Sequence, residues 1–285
     1  MTASLRWQRL IGTVGRHALL IAGAVVFLMP FVFILLTALM TNDQALSDRL
    51  WPDPFQPSNF VDVFHQAPIL RWTLNTTIYA GLATLGVLVS SIPVAYALAK
   101  IRWKGRNAVF LVVLVSLMLP PQVAVVPLYV MWAKLGHAVG IPFVGSLWPL
   151  IIPAFFGDAF SIFLLRQFFL TIPEEYLDAA RVDGCGELRI LTTVVVRLAK
   201  PAIAAVALFS ILYTFNDFFL PLLYTSESPS NWPVSVGLSQ YRNLHQVQWN
   251  LTMAATLVVM APVIILFFLA QRAFVEGVTL TGVKG

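Results

Sequence analysis

A chain of 285 residues that is 59% hydrophobic and only 11% charged, with a mean hydropathy of +0.82, lies outside the composition of soluble globular domains. Its net charge of +5 and pI near 9.6 raise nucleic acid as a partner, but no basic helix or aromatic-interleaved basic patch is present to bind it. The single cysteine, Cys185, excludes an intramolecular disulfide and a cysteine metal cluster.

Crossing the ~30 Å hydrocarbon layer as a helix takes about 20 apolar residues at ~1.5 Å each. Runs of that kind are predicted at 17–40, 73–99, 108–132, 144–168, 201–224 and 252–275, an all-α polytopic bundle of six spans forming one transmembrane domain over 1–285. Arg6, Arg9 and Arg16 precede the first run as they would in a secretory signal; its length and the lack of a small-x-small cleavage site before Asn42 favour a retained span. Prolines fall inside the runs at Pro30, Pro93, Pro120, Pro121, Pro153 and Pro262, where they free backbone carbonyls and permit kinks. The Phe168–Phe169 pair reads as packing, and Asn75 and Thr76 as structural or interfacial. Two carboxylates lie well inside spans, Asp158 and Asp217. An Asp at mid-bilayer costs about 2.5 to 3.5 kcal/mol on the lenient insertion scale, so each is expected to face protein or water. With Gln122, Tyr213 and Asn216 they form a candidate polar translocation path or substrate surface; the competing role is hydrogen bonding between neighbouring helices.

The basic residues are distributed unevenly between alternate loops. One set holds Arg6, Arg9, Arg16, Lys100, Arg102, Lys104, Arg106, Arg166, Arg181, Arg189, Arg197, Lys200, Arg272 and Lys284; the other holds Arg49, Arg71, Lys134 and Arg242. Cationic loops stay cytoplasmic, which places both termini and the 171–200 loop inside and the 41–72 and 225–251 segments outside. The multi-pass chain is expected in a cytoplasmic (inner) membrane, in contact with lipid.

The 171–200 loop is unusually charged for such a chain. Thr171 and Glu174 have the spacing of a capping box with Pro173 in the first turn, and Gly184 supplies a stop. Tyr176, Ala179, Ala180 and Asp183 fall at helical spacing on one face, where two small alanines would admit another backbone. A return helix is predicted from Glu187 to Lys200, with Pro201 marking the turn into the fifth span. A loop merely lying on the headgroups is the competing reading.

Asp178, Ala179, Ala180 and Gly184 resemble the EAA...G signature of the membrane subunits of binding-protein-dependent ATP-binding-cassette importers. "IPEEYLDAARVDG" is similar to the carbohydrate-importing, maltose-permease type. "LNTTIYA", "AYALAK", "MLPPQVAVVPLYV", "FLLRQFF", "FNDFFLPLLY" and "GVTLTGVKG" resemble matching segments of the second permease chain of such importers. The chain departs at Asp178, where the pattern has Glu, and at Val194–Arg197, where it has I-x-L-P.

The resemblance implies that the loop is a cytoplasmic coupling helix docking into an ATPase through Glu175, Tyr176, Asp178, Ala179, Ala180, Arg181, Asp183 and Gly184. It further implies a homologous second permease, two ATP-binding subunits and an extracytoplasmic substrate-binding protein as partners, in a bacterium or archaeon. The outer segment with Tyr241 and Trp249 is then a candidate docking place for the binding protein.

Chemistry within the chain is sparse. No Gly-Lys pair exists, so a phosphate loop is absent and ATP and Mg are expected on the partner subunits, with no cofactor here. His17, His65, His137 and His245 are scattered, with neither H-E-x-x-H nor G-x-S-x-G, so no catalytic or metal residue is assigned and the chain is read as a non-enzyme. The alternative function is an ion-gradient-driven secondary transporter.

Overall fold

The computed structural model describes residues 2–244 and 248–279. His245, Lys284 and the end of the "GVTLTGVKG" stretch lie outside the described residues, as do the side chains of Arg6, Arg9, Tyr241, Arg242 and Arg272.

The described residues contain helices and no strand. Along the chain run α1 (Thr2–Ala38), α2 (Asn42–Ala45), α3 (Asn59–Gln66), α4 (Ile69–Ala99) and α5 (Arg106–Met118). A 3-10 turn at Pro121–Ala124 leads to α6 (Val125–Val139) and α7 (Trp148–Ile151), and a second at Ile152–Phe156 to α8 (Ala159–Leu170). Then come α9 (Glu174–Val182), α10 (Glu187–Ile190), a π-helical turn (Leu191–Val195), α11 (Val196–Leu198), α12 (Lys200–Asn216), α13 (Phe219–Thr225), α14 (Val234–Leu244) and α15 (Trp249–Thr279).

Among the described residues, three stretches are long and apolar enough to cross a membrane: Gly12–Ala38, Ile69–Ala99 and Trp148–Leu170. The number rises to five if each of two bent pairs is one span, and Trp249–Ile265 adds a shorter apolar helix. The predicted third span is not one straight helix: α5 and the segment from Pro121 to Val139 meet at 90°. Consecutive Pro120 and Pro121 remove two amide donors, so the backbone ladder stops at Met118. The fifth is interrupted too, with α12 ending at Asn216 and α13 restarting at Phe219, which places Pro221 in the new first turn, where a missing amide costs nothing. Nor is the return helix continuous: its π-helical turn leads to an 81° bend before α12, with Pro201 in the first turn beyond it.

The chain divides into two units, Met1–Pro68 with Gln240–Met260, and Ile69–Ser239 with Ala261–Gly285. In the first, the apolar window of α1 has no residue buried inside the unit, as suits a helix facing lipid or another chain. Its end is closed by Asn59, whose amide donates to the carbonyls of Ala38 and Met40 at 2.9 and 2.8 Å.

In the second unit α4 packs against α8, α12 and the 152–156 turn. The approach to that turn is close at Gly86, where an added Cβ would meet the Phe155 ring at 2.7 Å. Leu165, Phe169, Leu177, Ile190, Val195 and Ala199 are fully buried in one core, so the loop after α8 is packed on its own chain. A second core gathers Tyr79, Trp132, Ile151 and Tyr224. The Asn75 amide donates to the carbonyls of Ser230 and Trp232, and the Thr76 hydroxyl accepts from the Val234 amide, a structural role that ties the head of α4 to the 230–234 segment.

Candidate functional site

The loop begins differently from the expected capping box. Thr171 ends α8 and donates its hydroxyl to the Phe168 carbonyl, while Pro173 opens α9 without a side-chain cap. Glu174 instead meets Lys100, the residue that follows α4, at 3.0 Å. That ammonium, on a side chain only 3% exposed, also donates to the Ile172 carbonyl at 2.6 Å. A buried cation needs such partners.

Leu177 and Ala180, three residues apart, form the inner stripe of α9 and are buried. Ala180 is therefore not on the outward face with Tyr176, Ala179 and Asp183, where the sequence pattern placed it: the fully buried Leu177 sets the helix rotation. Outward stand Glu175, Tyr176, Asp178, Ala179 and Val182, with Tyr176 57% and Val182 87% exposed.

Gly184 bends the chain with φ +79°, a conformation L side chains rarely adopt. Its amide donates to the Arg181 carbonyl, and the Cys185 amide to the Ala180 carbonyl, the paired bonds of a Schellman close. Across the bend, Arg181 donates to Asp178 at 2.7 Å and to Glu187 at 3.1 Å. The Tyr96 hydroxyl donates to the other Glu187 oxygen. This hydrogen bond, aided by Arg181 and opposed by partial burial, holds the Glu187 carboxyl below its ordinary range.

A second constellation lies at the breaks in the apolar helices. Gln122, Tyr213, Asn216 and Asp217 line one cavity of about 670 Å³. Asp158 lines another, of about 580 Å³, and Tyr213 borders both. Asp158 caps α8, its carboxylate accepting from the Ser161 amide at 2.8 Å and the Ser161 hydroxyl at 2.6 Å. Asp217 accepts from the Tyr79 hydroxyl at 3.1 Å, and its own carbonyl from the Ser235 hydroxyl at 2.7 Å. Asn216 donates back to the Leu212 carbonyl.

Sequence reading missed Tyr79, Tyr96, Lys100, Glu174 and Glu187. A signal for Tyr79 existed in its i, i+3 spacing from Thr76, which puts two polar groups on one face of α4. Partners far along the chain, such as Lys100 and Glu174, leave no local pattern.

The family model of the binding-protein-dependent transport system inner membrane component matches residues 91–280. The chain belongs to this family. As such, the permease is a multi-pass membrane protein and a transport subunit. It is similar to the arabinooligosaccharides transport system permease protein AraQ of Halalkalibacterium halodurans, 33% identical over 82% of this chain and 81% of the relative. It is also similar to the sn-glycerol-3-phosphate transport system permease protein UgpE of Yersinia pestis, 31% identical over 92% of this chain and 94% of the relative. The permease shares its fold with a chain of a bacterial ABC transporter involved in the import of the acidic polysaccharide alginate. That likeness has a TM-score of 0.80 at 24% identity and covers 94% of this chain and 98% of the other.

Proposed function

We propose that this permease is the second membrane chain of an ATP-binding-cassette importer that moves a sugar or sugar-like solute into the cytoplasm. ATP and Mg are bound, and ATP hydrolysed, by two separate subunits; a homologous permease completes the pathway and an extracytoplasmic binding protein delivers the solute. One observation carries the reading: α9 presents Tyr176, Ala179 and Val182 outward from a core that its own Leu177 and Ala180 fill. Such a face, rigidly backed and left exposed among the described residues, fits a cleft in another protein. The sugar class is supported by the transport of arabinooligosaccharides in the name of one relative.

In this reading the cytoplasmic loop takes the closing motion of the ATPases through Glu175, Tyr176, Asp178, Ala179, Arg181, Asp183 and Gly184, with Ala180 supporting from beneath. Gln122, Asp158, Tyr213, Asn216 and Asp217 lie along the polar path, where the helix breaks leave backbone and side chains available to solute hydroxyls. Both termini face the cytoplasm, following the distribution of basic residues.

The test is purification of the chain with its genomic neighbours, followed by ATPase measurement in lipid with binding protein loaded with candidate sugars. Stimulation by one loaded binding protein is the expected result and names the solute. A chain that purifies with no ATPase subunit overturns the reading.

A further inference from the structure

The C-terminal turn of α4, with Lys100 directly after it, grips the loop on both sides of α9. Tyr96 and Lys100 stand one turn apart, at i and i+4, and so project to the same side. Lys100 holds the near side through the Ile172 carbonyl and Glu174. Tyr96, 3% exposed, holds the far side through Glu187, which lies beyond the Gly184 bend. Arg181 joins the two halves by binding Asp178 and Glu187 together.

This arrangement exceeds what packing alone requires. Leu177, Ile190 and Val195 already bury the apolar side of the loop. Placing an ammonium and a phenol in the same core, each aimed at a specific acceptor, fixes direction as well as contact. The same helix continues upward to Tyr79, 17 positions before Tyr96 and roughly 25 Å along the axis at ~1.5 Å per residue. There its hydroxyl meets Asp217 at the α12–α13 break.

We infer that Tyr96 and Lys100 are positioning residues that make the 171–190 loop and α4 move as one body. A push on α9 is then delivered through α4 to the Tyr79–Asp217 contact, instead of being absorbed by bending within the loop. The inference rests on the reading of this loop as the ATPase-coupling element.

The experiment uses the assembled complex in lipid, with loaded binding protein, and compares wild type with Tyr96→Phe, Lys100→Met and Lys100→Arg. Three quantities are read: ATPase subunit retained on purification, ATP hydrolysed, and solute moved per ATP. Tyr96→Phe and Lys100→Met should retain the ATPase and hydrolyse ATP as wild type does. Solute moved per ATP should fall roughly ten- to a hundredfold, the size of one lost hydrogen bond to a charged group, and Lys100→Arg should recover most of it. Tyr96→Phe removes a single hydroxyl, which keeps the test available if Lys100→Met does not fold. An unchanged ratio of solute to ATP in the variants that fold overturns the proposal, as does a parallel loss of subunit retention and hydrolysis, which marks a merely structural role. Failure of the wild type to retain any ATPase is a separate result, seen before any variant; it overturns the coupling-loop reading and this inference with it.

Discussion

At Gly184 the backbone is left-handed, but the space around it is open, with nothing within 4 Å of an added Cβ. A side chain there costs only the conformational strain, about 1 to 2 kcal/mol. Gly184→Asp should therefore leave the chain folded and inserted, while its new charge disrupts whatever docks on the bend. Membrane yield near wild type together with lost ATPase retention is the expected pair of results; loss of the chain from the membrane would contradict it.

Glu187 supplies a pH dependence. Its folded carboxyl titrates lower than in the unfolded chain, so the stability it contributes is complete above the ordinary carboxylate pKa of about 4.3 and disappears as pH falls through the lower folded value. Hydrogen-exchange protection of α9 and α10 should accordingly weaken at the acidic end of that window in wild type, and should not show this acid step in Glu187→Gln. For Asp158 the geometry separates two roles. Asp158→Ala removes a helix cap and should cost about 1 kcal/mol of stability, while Asp158→Asn keeps a capping group and should stay close to wild type in thermal midpoint. A fall in transport by Asp158→Asn without loss of stability would assign the carboxylate to the path.

Among the elements, α9 has two faces that mutation should distinguish. Leu177→Ala opens a cavity under the loop and should destabilise the permease by about 2 to 5 kcal/mol, seen as a lowered thermal midpoint. Tyr176→Ala on the outer face should leave the midpoint within about 0.5 kcal/mol of wild type and reduce ATPase retention instead. The helical nature of this stretch was legible in sequence, and so was its glycine stop. Its start was not, because Thr-x-x-Glu is a short pattern that equally describes a helix end followed by an ion pair. The rotation was not legible either: two adjacent alanines are 100° apart on a helix, and only the burial of Leu177 decides which one faces inward.

The apolar runs of α1, α4 and α15 could be read from composition because a bilayer demands an unbroken stretch of backbone-satisfying helix. The breaks are harder. Pro120–Pro121 announces one openly, whereas the interruption at Asp217 is marked by a carboxylate in an apolar run and by Pro221 four residues on, and the one before Asp158 by Gly157, with φ +100°. Helix breaks inside apolar segments need partners for the freed polar groups, and those partners come from distant residues: Tyr79 for Asp217, Ser91 for the Asp158 amide. The polar residues of the proposed path thus stood out in the sequence through their unexpected polarity, but that they line two cavities sharing Tyr213 did not.

For the whole molecule, the central claim is that ATP hydrolysed by other chains drives solute movement through this one by way of the 174–189 loop. The direct measurement is solute uptake into proteoliposomes holding the full complex, with ATP and loaded binding protein supplied or withheld, in the presence and absence of an ion gradient. Uptake that requires ATP and binding protein, ignores collapse of the gradient, and vanishes in Gly184→Asp is the predicted result. Uptake that follows the ion gradient without ATP, or that persists in Gly184→Asp, would contradict the account.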